Sequence, residues 1–124
     1  VPAANEVELH PFLRQDEIEA FCKPRGIRLI AYSPLSRAKR LDNPVIQEVA
    51  KAHGATPAQI HVRWSVQHGY VPLPKSVRTE RVAENIDVFK FEITPAEMEK
   101  LDALDERLFT EWEEWGNLDP TKMD

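Results

Sequence analysis

The chain has 124 residues, a formal net charge of −5 and one cysteine, Cys22. That length suits one small domain, and the acidic balance argues against a nucleic-acid or acidic-membrane partner. A lone cysteine excludes an internal disulfide, and no apolar run approaches a membrane span or a signal peptide, so a cytoplasmic protein is the expectation.

In chain order, Val1 to Leu9 reads as a strand that His10-Pro11 ends. Asn5, Val7 and Leu9 alternate with Glu6, Glu8 and His10, which gives an apolar and a polar face. Three ligand-type side chains on one strand of a parallel sheet seldom converge on one ion. The polar face is therefore expected to point into a barrel, and no metal site is expected. Gln15 to Lys23 reads as a helix with Ile18, Phe21 and Cys22 as its apolar stripe, stopped by Pro24 and Gly26. Ile27 to Ser33 is a short apolar run of the kind buried parallel strands need. After a basic loop, Ser36 to Asn43, come two helices. The first is Pro44 to His53, burying Val45, Val49 and Ala50 and ended by Gly54. The second opens on Thr56-Pro57-Ala58-Gln59, a capping box, and runs to about His68 with Ile60, Val62, Trp64 and Val66 as buried candidates. His53, His61 and His68 read as surface or capping residues.

Tyr70 to Pro74 reads as a third strand, weakened by Pro72, which removes one ladder bond. The stretch Pro74 to Asn85 then opens a helix. Lys75, Arg78 and Arg81 recur at a spacing of three beside the Ser76 hydroxyl. Cations at a helix start oppose the helix dipole, so they point to an anionic ligand such as a phosphate. Glu84 and Asn85, one turn on, suit the polar edges of a purine. Phe89, Phe91 and Ile93 form an apolar connector, and Thr94-Pro95-Ala96-Glu97 is a second capping box before a helix burying Met98, Leu101 and Leu104. The tail carries Phe109, Trp112 and Trp115 among acids. Strands alternating with helices imply a parallel α/β sheet.

The run Lys75-Ser76-Val77-Arg78-Thr79-Glu80-Arg81-Val82-Ala83-Glu84-Asn85 resembles the cofactor signature of the aldo-keto reductases, NADPH-dependent enzymes on a (β/α)8 barrel. The similarity extends from Val1 to about Leu108, and the short Ser36–Asn43 loop and Arg78 match the bacterial and fungal branch. The resemblance implies that Lys75, Ser76 and Arg81 hold the 2′-phosphate of NADP(H), with Val77 and Arg78 in the same signature, and that Glu84 and Asn85 meet the adenine. Pro2 to Pro11 resembles the family's sixth strand. Glu6 stands where the family usually has a glutamine against the nicotinamide carboxamide; it can accept from that group but not donate to it. Ala31-Tyr32-Ser33-Pro34-Leu35 resembles the end of the seventh strand, which implies that Tyr32 stacks on the nicotinamide and that Ser33, Leu35 and Arg37 lie along the pyrophosphate. Ser36 replaces a frequent glycine, so the loop backbone there is expected to be less free.

The implied fold is α/β, the C-terminal half of a (β/α)8 TIM barrel: its last three strands with their helices in residues 1–108, and a tail in 109–124. A complete barrel takes about 250 residues, and Val1 in place of Met fits a fragment or a processed chain. The family reduces aldehydes and ketones with a proton-donating tyrosine assisted by a lysine, a histidine and an aspartate. Those four belong to earlier strands, and Tyr32 and Lys75 stand in other motifs, so no catalytic residue is expected in this chain. The expected partners are a small carbonyl substrate and the missing N-terminal half. Two further readings stay open: a nucleotide-binding or redox-sensing module without turnover, and an inactive truncated product.

Overall fold

The computed structural model describes residues 1–111. Three parallel strands form one sheet in the order β1-β2-β3: β1 is Ala4–Glu8, β2 Arg28–Tyr32 and β3 Val71–Pro72. Glu6 stands opposite Ile30 and Glu8 opposite Tyr32, and Ile30 in turn faces Val71. All three strands are shorter than the sequence suggests. At β3 only two residues remain in the ladder, since Pro72 has no amide to extend it; the Leu73 amide still reaches Ala31 O at 3.0 Å.

Among the described residues, helix α1 Asp16–Cys22 links β1 to β2, helices α2 Pro44–His53 and α3 Pro57–Gln67 link β2 to β3, and helices α4 Thr79–Ile86 and α5 Pro95–Asp102 follow β3. Their ends follow the local chemistry. Asn43 caps α2 by accepting from the Val45 amide, and Gly54 closes it at φ 59, a left-handed geometry that costs glycine least. Thr56 and Thr94 each complete a reciprocal capping box, with Gln59 and Glu97. No described helix is long and apolar enough to cross a membrane.

The alternation in β1 separates two environments. Val7 and Leu9 join Leu29 and Ala31 in the core beneath the helices, with Ile46, Val49, Ile60, Trp64 and Leu101. Full burial of such side chains contributes about 1.5–3 kcal/mol each. Asp102 ties that core together by accepting from Trp64 Nε1 at 2.8 Å, His68 Nε2 at 2.8 Å and Arg14 Nη1 at 2.9 Å. Glu6, Ile30, Tyr32 and Leu73 look the other way, and Glu6 and Leu73 are exposed.

Several packing expectations need correction. Phe21 is 58% exposed, while Cys22 of α1 is buried and Ile18 packs at the core margin. Phe89 is 70% exposed, and of the connector only Ile93 is buried. In α2 Ile46 is fully buried while Val45 sits at the core margin. His61 is not a surface residue: it is completely buried in α3, 5.9 Å from the Phe12 ring. Trp112 and Trp115 lie outside the described residues.

Candidate functional site: a cleft at the carboxyl ends of the strands

The carboxyl ends of β1, β2 and β3 open into a cleft lined by both apolar and charged side chains. Its first chamber, about 610 Å³, is lined by Glu6 from β1, by Tyr32, Ser33, Leu35 and Arg37 from the end of β2 and its loop, and by Lys75 and Arg81 beyond β3. A second chamber of about 310 Å³ takes Leu35, Lys75, Ser76, Arg81, Glu84 and Asn85. Leu35, Ala38, Lys75 and Arg81 line both, so the two chambers share a wall. Of the residues expected at a cofactor, Val77 and Arg78 line neither chamber, and Val77 is 95% exposed.

The basic stretch does not open a helix at Pro74. Residues 73–78 are irregular, Arg78 is an extended N-cap residue (φ −105, ψ 125), and α4 begins at Thr79. Arg81 therefore lies in the first turn, and Lys75 reaches the cleft from the preceding loop. Ser76 stabilises the bend: its hydroxyl accepts from the Arg78 amide at 3.1 Å and donates to Arg78 O at 3.2 Å. Among the described residues, ion pairs engage Arg14, Lys23, Arg37, Arg40, Lys90 and Lys100 but not Lys75, Arg78 or Arg81. Two unneutralised cations thus project into the wall common to both chambers.

The β2–α2 loop is folded with unusual backbone. Ser33, Ser36, Arg37 and Ala38 all have positive φ, from 45° to 62°. For residues with a Cβ this conformation costs roughly 1 kcal/mol each. Ser36, expected to restrict the loop, adopts φ 50 with its buried hydroxyl donating to Leu35 O at 2.7 Å. The loop thereby turns Leu35 and Arg37 back over the cleft.

The far wall comes from the start of α3, which sequence reasoning identified only as a cap. Thr56, Pro57 and Ala58 line the second chamber. The Thr56 hydroxyl bonds the Glu84 carboxylate, and Gln59 Nε2 donates to Glu84 O and Asp87 O, each at 3.1 Å. The capping box of α3 thus fixes the C-terminal turn of α4, where Asn85 is buried.

A second cluster was not foreseen. Glu8 and His10 are buried on the polar face of the first strand, and Thr110 closes over them. Phe12 N donates to His10 Nδ1 at 3.3 Å, which leaves the ring proton on Nε2 to donate to Glu8 Oε1 at 3.1 Å. Burial opposes ionisation of Glu8, yet the hydrogen bonds from His10 and Thr110 prevail and hold its carboxyl below the ordinary carboxylate value. The anchored segment carries Glu111 onto the rim of the first chamber, against Ser33 and Arg37. Among the described residues, no group of three or more His, Cys, Asp or Glu side chains is arranged to hold a metal ion.

A parallel α/β sheet with a cleft at its strand carboxyl ends is the arrangement of the α/β enzymes that bind ligands there. Within that class, the chain belongs to the aldo/keto reductase family, whose model matches residues 1–106. It is 46% identical over 109 residues to the glyoxal reductase of Bacillus subtilis (strain 168), an alignment covering 86% of this chain and 40% of that protein. Its fold is similar to that of a variant of Gox0644 solved in complex with NADPH, with a TM-score of 0.84 and 36% identity over 86% of this chain and 40% of the other. It is also similar to MGS-M4, an aldo-keto reductase from a Medee basin deep-sea metagenome, with a TM-score of 0.82 and 33% identity over 89% and 43% of the two chains. The chain therefore spans well under half the length of these relatives.

Proposed function

We propose that this chain is the C-terminal half of an NADPH-dependent carbonyl reductase, with residues 1–108 forming the last three β/α units of a barrel and 109–124 its tail. The observation that carries the reading is the two-chambered cleft with the unpaired cations Lys75 and Arg81 in its common wall. Its donor set suits a dinucleotide. Lys75, Ser76 and Arg81 would hold the 2′-phosphate, with Arg78 and Val77 beside them in the signature, and Glu84 and Asn85 would meet the adenine. Ser33, Leu35 and Arg37 would follow the pyrophosphate, and Tyr32 and Glu6 would take the nicotinamide ring and its carboxamide. The bound nicotinamide would supply hydride. The protein side chains named here would bind and orient it. The proton-transfer residues belong to the remainder of the barrel in this reading, as does most of the pocket for a small aldehyde or ketone. A cytoplasmic setting is part of the same proposal.

The test is cofactor discrimination. Charge-assisted bonds to a phosphate contribute about 1.5–3 kcal/mol each, so Arg81→Ala weakens NADPH by more than about tenfold and leaves NADH nearly unchanged. Equal losses for the two cofactors overturn the assignment.

A further inference from the structure

We infer that Glu111 is an internal anion seated in the pyrophosphate position, so that the tail and the cofactor compete for Ser33 and Arg37. This rests on the dinucleotide reading and adds a regulatory contact to the same site.

The geometry is specific. One carboxylate oxygen, Glu111 Oε1, accepts from the Ser33 hydroxyl and lies 4.0 Å from Arg37 Nε. A second guanidinium nitrogen, Arg37 Nη1, donates to Thr110 O at 2.9 Å. A hydroxyl bonded to an anionic oxygen, with a guanidinium charge 4.0 Å away, is a setting that a phosphate oxygen would also satisfy. Glu111 also lines the first chamber, at its rim, together with Tyr32 and Lys75.

The position of Glu111 is built from below. Its neighbour Thr110 is completely buried and gives its amide (2.7 Å) and its hydroxyl (2.5 Å) to Glu8 Oε1. Upstream, the Glu106 and Leu108 amides donate to Phe12 O at 3.2 and 3.0 Å, and Arg40 Nε pairs with Glu106 at 2.7 Å. None of these anchors needs Ser33. The Glu111 side chain can therefore leave the seat while Thr110 stays bonded to Glu8. Arriving phosphates meet a like charge until it does, and meanwhile the carboxylate engages the Ser33 hydroxyl and Thr110 O holds the Arg37 guanidinium.

The experiment titrates the 124-residue chain, and its Glu111→Gln and Glu111→Ala variants, with NADPH and with adenosine 2′-monophosphate. The monophosphate carries the 2′-phosphate but no pyrophosphate. Both variants tighten NADPH by roughly threefold or more, and leave adenosine 2′-monophosphate unchanged. Unaltered NADPH affinity, or equal tightening of both probes, overturns the latch while the dinucleotide reading survives. A wild-type chain that binds neither probe, even when assembled with a separately prepared N-terminal half of the barrel, overturns the dinucleotide reading, and the latch with it.

Discussion

Glu8 Oε1 accepts both the amide and the hydroxyl of Thr110, at 2.7 and 2.5 Å, across a sequence separation of 102 residues. With His10 Nε2 as a third donor, one buried oxygen closes the chain from its first strand to its tail. Removing one partner leaves buried donors unsatisfied, at about 1–3 kcal/mol. In the chain assembled with the N-terminal half of the barrel, Glu8→Leu and Thr110→Val should each lower the free energy of unfolding in urea by about that amount. Because the two share one bond network, the double variant should lose less than the two single losses together. Strict additivity would show that the contact does not hold the tail.

His61 makes stability depend on pH. Its Nδ1 lies 3.0 Å from Pro57 O, its Nε2 is buried without a partner, and burial, with a smaller contribution from His10, pushes its pKa from 6.5 down to about 4. A lowered folded-state value means that the unfolded chain binds the extra proton first. Stability is therefore full above about 6.5 and declines as pH falls towards about 4. The complete loss is on the order of 3 kcal/mol. Glu8 adds its own loss below the ordinary 4.5, as its carboxylate protonates. In denaturant melts of that same assembly between pH 7 and pH 4.5, His61→Leu should flatten the upper part of this slope. An unchanged slope would assign it to other groups.

Local signals made most of the helix ends legible. Thr56, Thr94 and Gly54 each act within four residues, and all three stop or start a helix as their chemistry dictates. The two faces of the first strand were equally legible, because alternation is a property of the strand itself. The start of α4 was not: Arg78 takes an extended conformation because Ser76 bonds its backbone, a competition with helix that spacing does not reveal. Glu8 with Thr110, and Thr56 with Glu84, are tertiary pairings between distant segments, and nothing in either segment names the other. Most of the residues quoted for the cleft were found together because they stand in a long motif. Val77 and Arg78 belong to the motif and still miss the chambers, since the turn at Ser76 carries them outward.

On the proposed reading, the isolated chain orients a nicotinamide and has no acid for the alkoxide. NADPH oxidation with a reactive aldehyde such as a nitrobenzaldehyde should stay at background. Tyr32→Phe, which retains an aromatic face, should leave that background unaltered. Turnover that Tyr32→Phe abolishes would make Tyr32 the proton donor.

Assembly gives the broadest test of the half-barrel. The sheet order puts β1 and β3 at the two edges, where unpaired backbone groups invite another strand. Beside the β3 edge, Leu73 is 47% exposed, and α4 presents Val82 at 43% and Ile86 at 67% to solvent, one turn apart on one face. Beside the β1 edge, Phe21 and Ile18 line an apolar groove of about 520 Å³. Apolar side chains flank both edges, which is what a sheet requires if further β/α units continue it on either side. The 124-residue chain alone should therefore associate, or melt without a sharp transition. Mixed with a separately prepared N-terminal half of the barrel, it should give a compact species with near-UV circular dichroism, tighter NADPH binding and aldehyde reduction. Sedimentation, dichroism and the aldehyde assay measure the three. A monodisperse, cooperatively melting monomer that ignores the other half would instead favour an autonomous nucleotide-binding module.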